Sequence, residues 1–454
     1  MVAPLLEQFR TRAEDQWFDR KSWRIAPRDL ARTLVAFANA EGGTLVVGIT
    51  DNGKTEDPVS AEKENTLRST AINHTDPSVR VKVQKLESVL VFEVEPGERV
   101  HFTTDGNCYL RLGDRSVKLN FAQQQELRYS KGEQLFDASG VPGATTADLD
   151  ENEVARFAKC IGSSSPADAL RARGLITRSG EVSVAGLLLF GRNPQEHFPN
   201  AEIRVLKYLD DERATGAQQQ LESDSRFGGP LPQQLAEAST HIRALLPSVS
   251  RFGLGGRFAV DTQIPDDAWM EGLVNAAIHR SYSLMGDHIR FEIFPSRIEI
   301  SSPGRFPGLA DPREPEKISR FARNPHIARV MTDLGIGQEL GEGIRRIFAE
   351  LRRVGFLDPE YQQTGGQVIL QLRAVRRMNT STLAGLSPQS ARTLALLQTQ
   401  PSGLGTGEVA DKLGVSRPAA RRALNELEAA ELIEWQGKSP KDPRARWFAR
   451  PPLA

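Results

Sequence analysis

The sequence contains only two cysteines, Cys108 and Cys160, and they lie far apart in no metal-ligand spacing. Their scarcity excludes a disulfide framework and a zinc ribbon, and it indicates a reducing compartment. No run of about 18 apolar residues occurs, and charged residues interrupt each short apolar run near the start. We therefore expect neither a membrane span nor a secretory signal, and we predict a cytoplasmic protein.

The sequence also lacks a net charge, because Lys plus Arg and Asp plus Glu number 58 each. The overall balance favours no polyanionic partner, so any surface that binds nucleic acid must be local. At roughly 100 to 200 residues per domain, the 454 residues are too many for one compact core. We expect an α+β multidomain protein.

Composition and hydrophobic spacing divide the chain into three segments. Residues 1–137 contain a helix with apolar residues at helical spacing, then a glycine pair, a buried strand and further strand-like runs. The turn-rich stretch "DASGVPGATTADL" predicts a linker before a second α+β domain at residues 147–376. Residues 386–454 contain three helical runs and two strand-like runs around a polar loop, which is the order of a winged helix-turn-helix.

Two acidic residues and a lysine near the start form a candidate metal site. Glu14 and Asp19 lie five residues apart, Lys21 follows, and Asp51 comes directly after the buried strand "TLVVGIT". Magnesium needs hard carboxylate oxygens that converge on the ion, and a nearby lysine can steady a phosphate. Clusters of acids and lysine are also common on solvated faces, so the spacing alone leaves both interpretations open.

Three motifs in this segment, "EDQWFDRKS", "LVAFANAEGGTLVVGITDNG" and "CYLRLGDRS", carry a resemblance to a known family. Over residues 10–120 the segment resembles the Schlafen-like AlbA domain, a nucleic-acid-binding domain. In Schlafen nucleases, two early acids and an aspartate after the strand form a metal-dependent RNA-cutting site, and these fall on Glu14, Asp19 and Asp51. The resemblance thus implies Mg²⁺ or Mn²⁺ at these residues and Lys21 at the scissile phosphate.

The segment departs from that pattern at two positions. Asp19 stands where the pattern has Glu, and Arg20 stands where it has Phe. The shorter aspartate side chain would change where a metal sits, and many bacterial proteins with this domain are described as regulators. The resemblance therefore leaves cleavage and simple binding open. We interpret Asn39, Gly42 and Gly43 as a helix stop and a tight turn.

The second segment places Glu271 and Asn275 four residues apart, on one face of a helix. A carboxylate one turn from an amide can orient water while the amide holds a magnesium ion carried by nucleotide phosphates. Such pairs are also common on helix surfaces and at helix ends. The spacing alone therefore does not separate a nucleotide site from surface chemistry.

The motifs "EGLVNAAIHRSYS", "IEISSPGRFPG" and "LGEGIRRI" resemble the C-terminal domain of bacterial RecG-like proteins, a divergent branch of the GHKL ATPase superfamily. The resemblance covers about residues 150–372 and implies a GHKL-like α/β sandwich that binds ATP or another nucleotide. Glu271 falls on the catalytic glutamate, Asn275 on the magnesium-binding asparagine, and Gly341 and Gly343 on later phosphate-facing glycines. Gly304 lies in the box that reads adenine, where this chain lacks the superfamily's aspartate.

Other interpretations of the second segment stay open. It could hydrolyse nucleotide weakly, or it could be a degenerate domain kept for dimerisation. The sequence Gly-x-x-x-x-Gly-Lys-Ser/Thr does not occur, so the P-loop ATPase motif of a helicase is missing.

The last segment predicts a helix that could read DNA. Ser416 can cap this helix, and Pro418 lies in its first turn, where a missing amide costs nothing. Ala420, Leu424 and Leu427 follow helical spacing and should face inward. The outward side chains, which suit phosphates and base edges in a major groove, are Arg417, Arg421, Arg422 and Asn425. The basic side chains of the predicted wing are Lys438, Lys441, Arg444 and Arg446.

A winged helix can also serve protein contact, and Glu426, Glu428 and Glu431 dilute the basic face. We interpret Trp435 and Trp447 as core residues of the small sheet. The leading interpretation of the whole chain is a bacterial nucleic-acid-binding regulator that responds to nucleotide and reads DNA with its winged helix.

The rival interpretation is a metal-dependent endonuclease of structured RNA such as tRNA, acting in phage defence. A third has neither catalysis nor sensing, only assembly through the middle domain. We expect a homodimer, because paired half-sites on DNA match a two-fold protein.

Overall fold

The fold is described from a computed structural model of the chain. The described residues are 2–214, 220–246, 248–252, 258–262, 264–318, 321–337, 342–364, 366–374, 386–398, 400, 403–430, 432–436 and 445–449. No helix in these ranges combines the length and the apolar character that a membrane crossing requires.

The first module is a small α+β unit. Its strands are β1 (Phe18–Lys21), β2 (Gly43–Val47), β3 (Thr75–Asp76), β4 (Val81–Leu86), β5 (Val89–Val94), β6 (Phe102–Thr103), β7 (Tyr109–Leu112) and β8 (Arg115–Lys118). Its helices are α1 (Val2–Thr11), α2 (Pro27–Asn39), α3 (Ala61–Arg68), α4 (Thr70–Asn73) and α5 (Phe121–Ser130). The main sheet has the order β1-β2-β5-β4, and β1 pairs with β2 in parallel.

Helix α2 forms the core of this module. Pro27 occupies its first turn, where the helix has no use for the missing amide. Leu30, Leu34 and Phe37 recur at helical spacing and are fully buried, as the sequence predicts. The helix packs closely against β7, so the strand that carries Arg111 is held beside it.

The turn after α2 is fixed by its own side chains. Asn39 donates to the carbonyl oxygens of His101 and Tyr109 at 2.8 Å each. Gly42 follows with a φ of +75°, and a Cβ there would lie 2.6 Å from the carbonyl oxygen of Val94. These contacts agree with the interpretation of this turn as part of the fold.

The second module is built on a six-stranded sheet. Its elements are α6 (Glu151–Cys160), α7 (Pro166–Ala172), α8 (Val184–Phe190), β9 (Ile203–Tyr208), β10 (Leu221–Phe227), α9 (Leu231–Leu245), β11 (Ser248–Phe252), β12 (Phe258–Thr262), α10 (Asp266–His279), β13 (Ile289–Ile293), β14 (Arg297–Pro303), α11 (Pro325–Asp333), α12 (Gly343–Arg353), β15 (Glu360–Gln363) and β16 (Gln367–Arg373). The sheet order is β10-β9-β13-β14-β16-β15, with only β9 and β13 parallel.

Helix α10 lies directly on this sheet. At Gly272 an added Cβ would come within 2.7 Å of the Leu370 side chain and 2.9 Å of the Ile300 side chain. The close approach explains a glycine inside this helix, where glycine otherwise lowers stability. It also fixes the height of the neighbouring Glu271 above the sheet.

The third module is a winged helix. Its elements are α13 (Pro388–Gln398), α14 (Thr406–Leu413), α15 (Arg417–Ala429), β17 (Ile433–Gln436) and β18 (Arg446–Ala449). Ala420, Leu424 and Leu427 are buried, and Trp447 lies in the same core with Trp435 packed against it. The predicted inward face of the helix and the core role of both tryptophans are thus confirmed.

The first and second modules are packed against each other. The backbone oxygen of Ser130, at the end of α5, accepts a hydrogen bond from Gly308 N at 2.9 Å. The hydroxyl of Ser130 accepts another from Arg323 Nη1 at 2.8 Å, and the Phe321 ring lies against Gly132. The chain is therefore multidomain as predicted, while the bounds 1–137, 147–376 and 386–454 stay predictions.

Candidate nucleic-acid and nucleotide sites

Strand β1 carries Asp19 into the interior of the first module. Its Oδ2 accepts a hydrogen bond from Arg111 Nη1 at 2.6 Å, and its Oδ1 accepts one from Lys21 Nζ at 2.5 Å. Arg111 Nη2 also donates to the carbonyl oxygens of Asp15 and Phe18. Both carboxylate oxygens of Asp19 are therefore neutralised by cations of the protein itself.

Glu14 and Asp51 take different positions around this pair. Glu14 Oε1 accepts from Arg20 N at 3.3 Å and lies 4.0 Å from Lys21 Nζ. Burial and the nearby charge of Asp19 raise the pKa of Glu14. Asp51 is exposed in the turn after β2, and it lines a cavity of about 480 Å³ together with Asp19 and Lys21.

The expected grouping of Glu14, Asp19 and Asp51 into a metal site is not found. Within the described ranges, no three His, Cys, Asp or Glu side chains are arranged to hold an ion. A divalent ion at Asp19 would lie beside the positive charges of Arg111 and Lys21, which already pair with its two oxygens and would repel the ion. The present arrangement does not fit a metal, and the roles of the three carboxylates as ligands stay predictions.

A cavity of about 440 Å³ lies in the second module, between α10, α12 and the sheet. Four of the five residues predicted to contact a nucleotide line it, namely Glu271, Asn275, Gly304 and Gly343. The fifth, Gly341, lies outside the described residues. The volume is in the range of small-molecule and cofactor sites. The structure thus brings residues from three separate motifs into one cavity.

Glu271 is held by two partners at one end of this cavity. Asn275 Nδ2 donates to Glu271 Oε1 at 3.2 Å, and Arg346 Nη1 donates to Glu271 Oε2 at 3.1 Å. A Cβ at Gly343 would lie 2.2 Å from Glu271 Oε1, so only glycine lets α12 begin this close to the carboxylate. The sequence analysis did not identify Arg346 as a partner of Glu271. Its position in "GEGIRRI", one helical turn after Gly343, could have placed it near that carboxylate.

The remaining lining of the cavity suits a nucleotide. The first turn of α12 borders it at Gly343, Ile344 and Arg345, and the positive end of a helix favours an anion such as a phosphate. The apolar part of the lining, which suits a planar base, includes Ile278, Ile300, Phe321, Val368 and Leu370. The resemblance to the GHKL superfamily implies that Asn275 would hold a Mg²⁺ ion bound with the nucleotide. The binding of nucleotide and of Mg²⁺ stays a prediction.

Glu41 of the first module reaches the rim of this cavity. Its carboxylate pairs with the guanidinium of Arg305, which lines the cavity, and accepts from Gln363 Nε2 at 2.6 Å. Its other oxygen accepts from Gln16 Nε2 at 2.7 Å, and the same Gln16 amide donates to the carbonyl oxygen of Arg111 at 2.9 Å. A continuous chain of hydrogen bonds therefore joins the two modules. The sequence offered no signal for it.

Helix α15 presents a polar, basic face to solvent. Ser416 Oγ caps the helix by accepting from Ala419 N at 3.4 Å, as predicted. The four side chains expected to face outward are all exposed, namely Arg417, Arg421, Arg422 and Asn425. The structure thus assembles the predicted face, while its contacts with DNA stay a prediction.

Two details refine this surface. Glu426, expected to dilute the basic face, accepts hydrogen bonds from Ser390 Oγ at 2.7 Å and Ser387 N at 2.8 Å, which lower the pKa of Glu426 and keep it charged. Arg446 lies on β18, where its Nη1 donates to the carbonyl oxygen of Gly403 at 2.7 Å. The other wing residues named above, Lys438, Lys441 and Arg444, lie outside the described residues.

Comparison with known families gives one match in each module. Residues 14–120 match the model described as Schlafen, AlbA_2, and residues 286–372 match that of the putative ATP-dependent DNA helicase recG C-terminal. Residues 384–445 match the MarR family. No curated protein matches the chain. A crystal structure of the DIP2311 protein from Corynebacterium diphtheriae is similar at 20% identity, covering 100% of this chain and 97% of that chain, with a TM-score of 0.45.

Proposed function

We propose that this chain, which combines a Schlafen AlbA_2 domain, a RecG C-terminal-like ATPase domain and a MarR-like winged helix, is a nucleotide-responsive regulator. It would read DNA with its winged helix. The observation that carries the proposal is the exposed face of α15, with Arg417, Arg421, Arg422 and Asn425 opposite a buried apolar face. A helix of this kind supplies phosphate and base-edge contacts from one element.

The charge distribution supports local recognition of DNA. The chain has no net charge, so attraction to DNA depends on a few arginines rather than on the whole surface. Glu426 is only partly exposed, and its carboxylate is bonded to Ser387 and Ser390. In a homodimer, two such helices would enter successive major grooves about one DNA turn apart.

The response to nucleotide is proposed to pass through Glu41. Arg305 lines the nucleotide cavity and pairs with Glu41 across the module boundary. A phosphate in the cavity would compete for the Arg305 guanidinium, because charge-assisted bonds to phosphate are strong. The loss of this pair would leave Glu41 bonded to Gln363 of the second module and to Gln16 of the first, and would change how the carboxylate joins them.

The proposal is tested by incubating purified protein with promoter DNA and with total tRNA, in Mn²⁺ or in EDTA. We expect retarded DNA and intact RNA. Cleavage that requires metal and disappears in Glu14→Ala and Asp51→Ala variants would replace the regulator with the RNA endonuclease. A protein that leaves both nucleic acids unbound and intact would remove both functions.

Glu41→Gln should reduce the effect of nucleotide on nucleic-acid binding by the first module. The substitution keeps the shape of the side chain but removes the charge that holds Arg305. Couplings between sites commonly change affinity about 5- to 150-fold, and we expect most of that change to vanish. Affinity for tRNA is measured with and without ATP, by fluorescence anisotropy.

The matched control is Glu98→Gln, because Glu98 is also a first-module glutamate but pairs with Arg80 on an exposed surface. This variant should keep the full nucleotide effect. If Glu41→Gln responds to nucleotide as strongly as the unmodified protein, Glu41 does not connect the two modules.

A further inference from the structure

Helix α10 directs a third polar side chain into the nucleotide cavity. This residue is His279, which ends the helix one turn beyond Asn275 and two turns beyond Glu271. Eight residues of α-helix rise about 12 Å, so Glu271 and His279 mark two well separated parts of the same cavity. A ligand that contacts the Glu271 part with its phosphates would extend its other end toward His279.

The His279 part of the cavity lies beside the turn at Gly304. Ser281 N, just after α10, donates to the carbonyl oxygen of Pro303 at 2.8 Å. Gly304 has a φ of +117°, and a Cβ there would lie 3.1 Å from the Ser281 side chain. The end of α10 and the end of β14 therefore border one edge of the cavity together.

His279 has hydrogen-bonding capacity that the fold does not use. Its Nδ1 is buried and has no hydrogen-bond partner in the described part of the chain. Burial, and then the charge of Arg323, lower the pKa of His279 to about 4, so the ring is neutral at pH 7. The lining hydroxyls of Ser302 and Thr332 instead donate to backbone carbonyl oxygens at 2.9 and 3.1 Å.

We propose that His279 reads the base of the bound nucleotide by a hydrogen bond to the edge of that base. The inference rests on the proposed nucleotide site. The buried Nδ1 is out of reach of a ligand, so the contact falls to Nε2, the other ring nitrogen of a side chain that is partly exposed and lines the cavity. A neutral imidazole either donates or accepts at Nε2, depending on its tautomer, and this single directional contact favours one base edge over another. Ile278 and Phe321 supply the apolar surroundings that such a base requires.

The test measures dissociation constants for ATP, GTP, CTP and UTP with Mg²⁺, using calorimetry on the full chain. The unmodified protein should prefer one base, and His279→Ala should reduce the preference about tenfold. Leaving one hydrogen-bonding group of the ligand without a partner weakens binding by about that factor. His279→Gln should restore part of the preference, since its amide also donates and accepts. The matched control is Thr332→Ala, which changes the same cavity and should keep the preference.

Each outcome has one meaning. A preference that is the same in His279→Ala and in the unmodified protein overturns the role of His279 and leaves the nucleotide site intact. Failure of the unmodified protein to bind any of the four nucleotides overturns the nucleotide response and this role together. If His279→Ala does not fold, the imidazole ¹⁵N shift of His279 in the unmodified protein decides. It should move with the preferred nucleotide and not with inorganic tripolyphosphate.

Discussion

Replacing Arg111 with methionine should lower the free energy of unfolding by about 3–5 kcal/mol, the usual cost of removing one partner of a buried ion pair. Asp19 is 2% exposed and Arg111 is 1% exposed, so the carboxylate cannot regain its hydration. Its remaining partner, Lys21, is partly exposed and does not replace the lost bonds of the guanidinium. Urea denaturation followed by tryptophan fluorescence measures the change.

Two further variants separate this effect from a general loss of charge. Arg115→Met removes an arginine of the adjoining strand β8 that pairs with Asp114 on the surface, and it should cost less than about 1 kcal/mol. Asp19→Asn combined with Arg111→Met should be more stable than Arg111→Met alone, because it no longer buries an unpaired charge. An unchanged unfolding midpoint in Arg111→Met would show that the pair does not stabilise the fold.

Removing two arginines from the exposed face of α15 should nearly abolish specific DNA binding. In Arg417→Ala combined with Arg422→Ala, each lost contact to a base or phosphate costs about 1–3 kcal/mol. The combined loss corresponds to roughly 30-fold or more in affinity for promoter DNA. Both side chains are exposed, so the fold should be unaffected. Electrophoretic mobility shifts at several salt concentrations measure the loss.

The control for this pair is Arg178→Ala, which removes an exposed arginine of the second module. It should leave DNA affinity and its salt dependence unchanged. Variants that lose phosphate contacts should also show a shallower dependence of affinity on salt, because fewer counterions are released. If the double variant binds promoter DNA normally, the winged helix serves protein contact instead.

Local sequence patterns predicted the parts of this molecule that depend on short spacing. The helical spacing of Ala420, Leu424 and Leu427 placed them in the core and left the arginines of α15 outside. The four-residue spacing of Glu271 and Asn275 likewise placed both on one side of α10, where they are hydrogen-bonded. Helix geometry alone is sufficient for such predictions.

Contacts between distant parts of the chain were not predictable in this way. Arg111 pairs with Asp19 across 92 positions, and Arg305 pairs with Glu41 across 264 positions. The motif "EDQWFDRKS" contains Lys21 but not Arg111, so it does not show that both oxygens of Asp19 are paired with cations. The metal site expected there depended on free carboxylates, and the tertiary structure supplies the cations that occupy them.

The ion pair between Glu41 and Arg305 joins the two modules, and any coupling that we propose through it must act in both directions. If a nucleotide in the cavity changes the affinity of the first module for nucleic acid, bound nucleic acid must change the affinity for nucleotide by the same factor. The protein would then have one affinity for nucleotide when it is bound to nucleic acid and another when it is not. A cell could therefore adjust the occupancy of the cavity through the amount of nucleic acid present, at a constant nucleotide concentration.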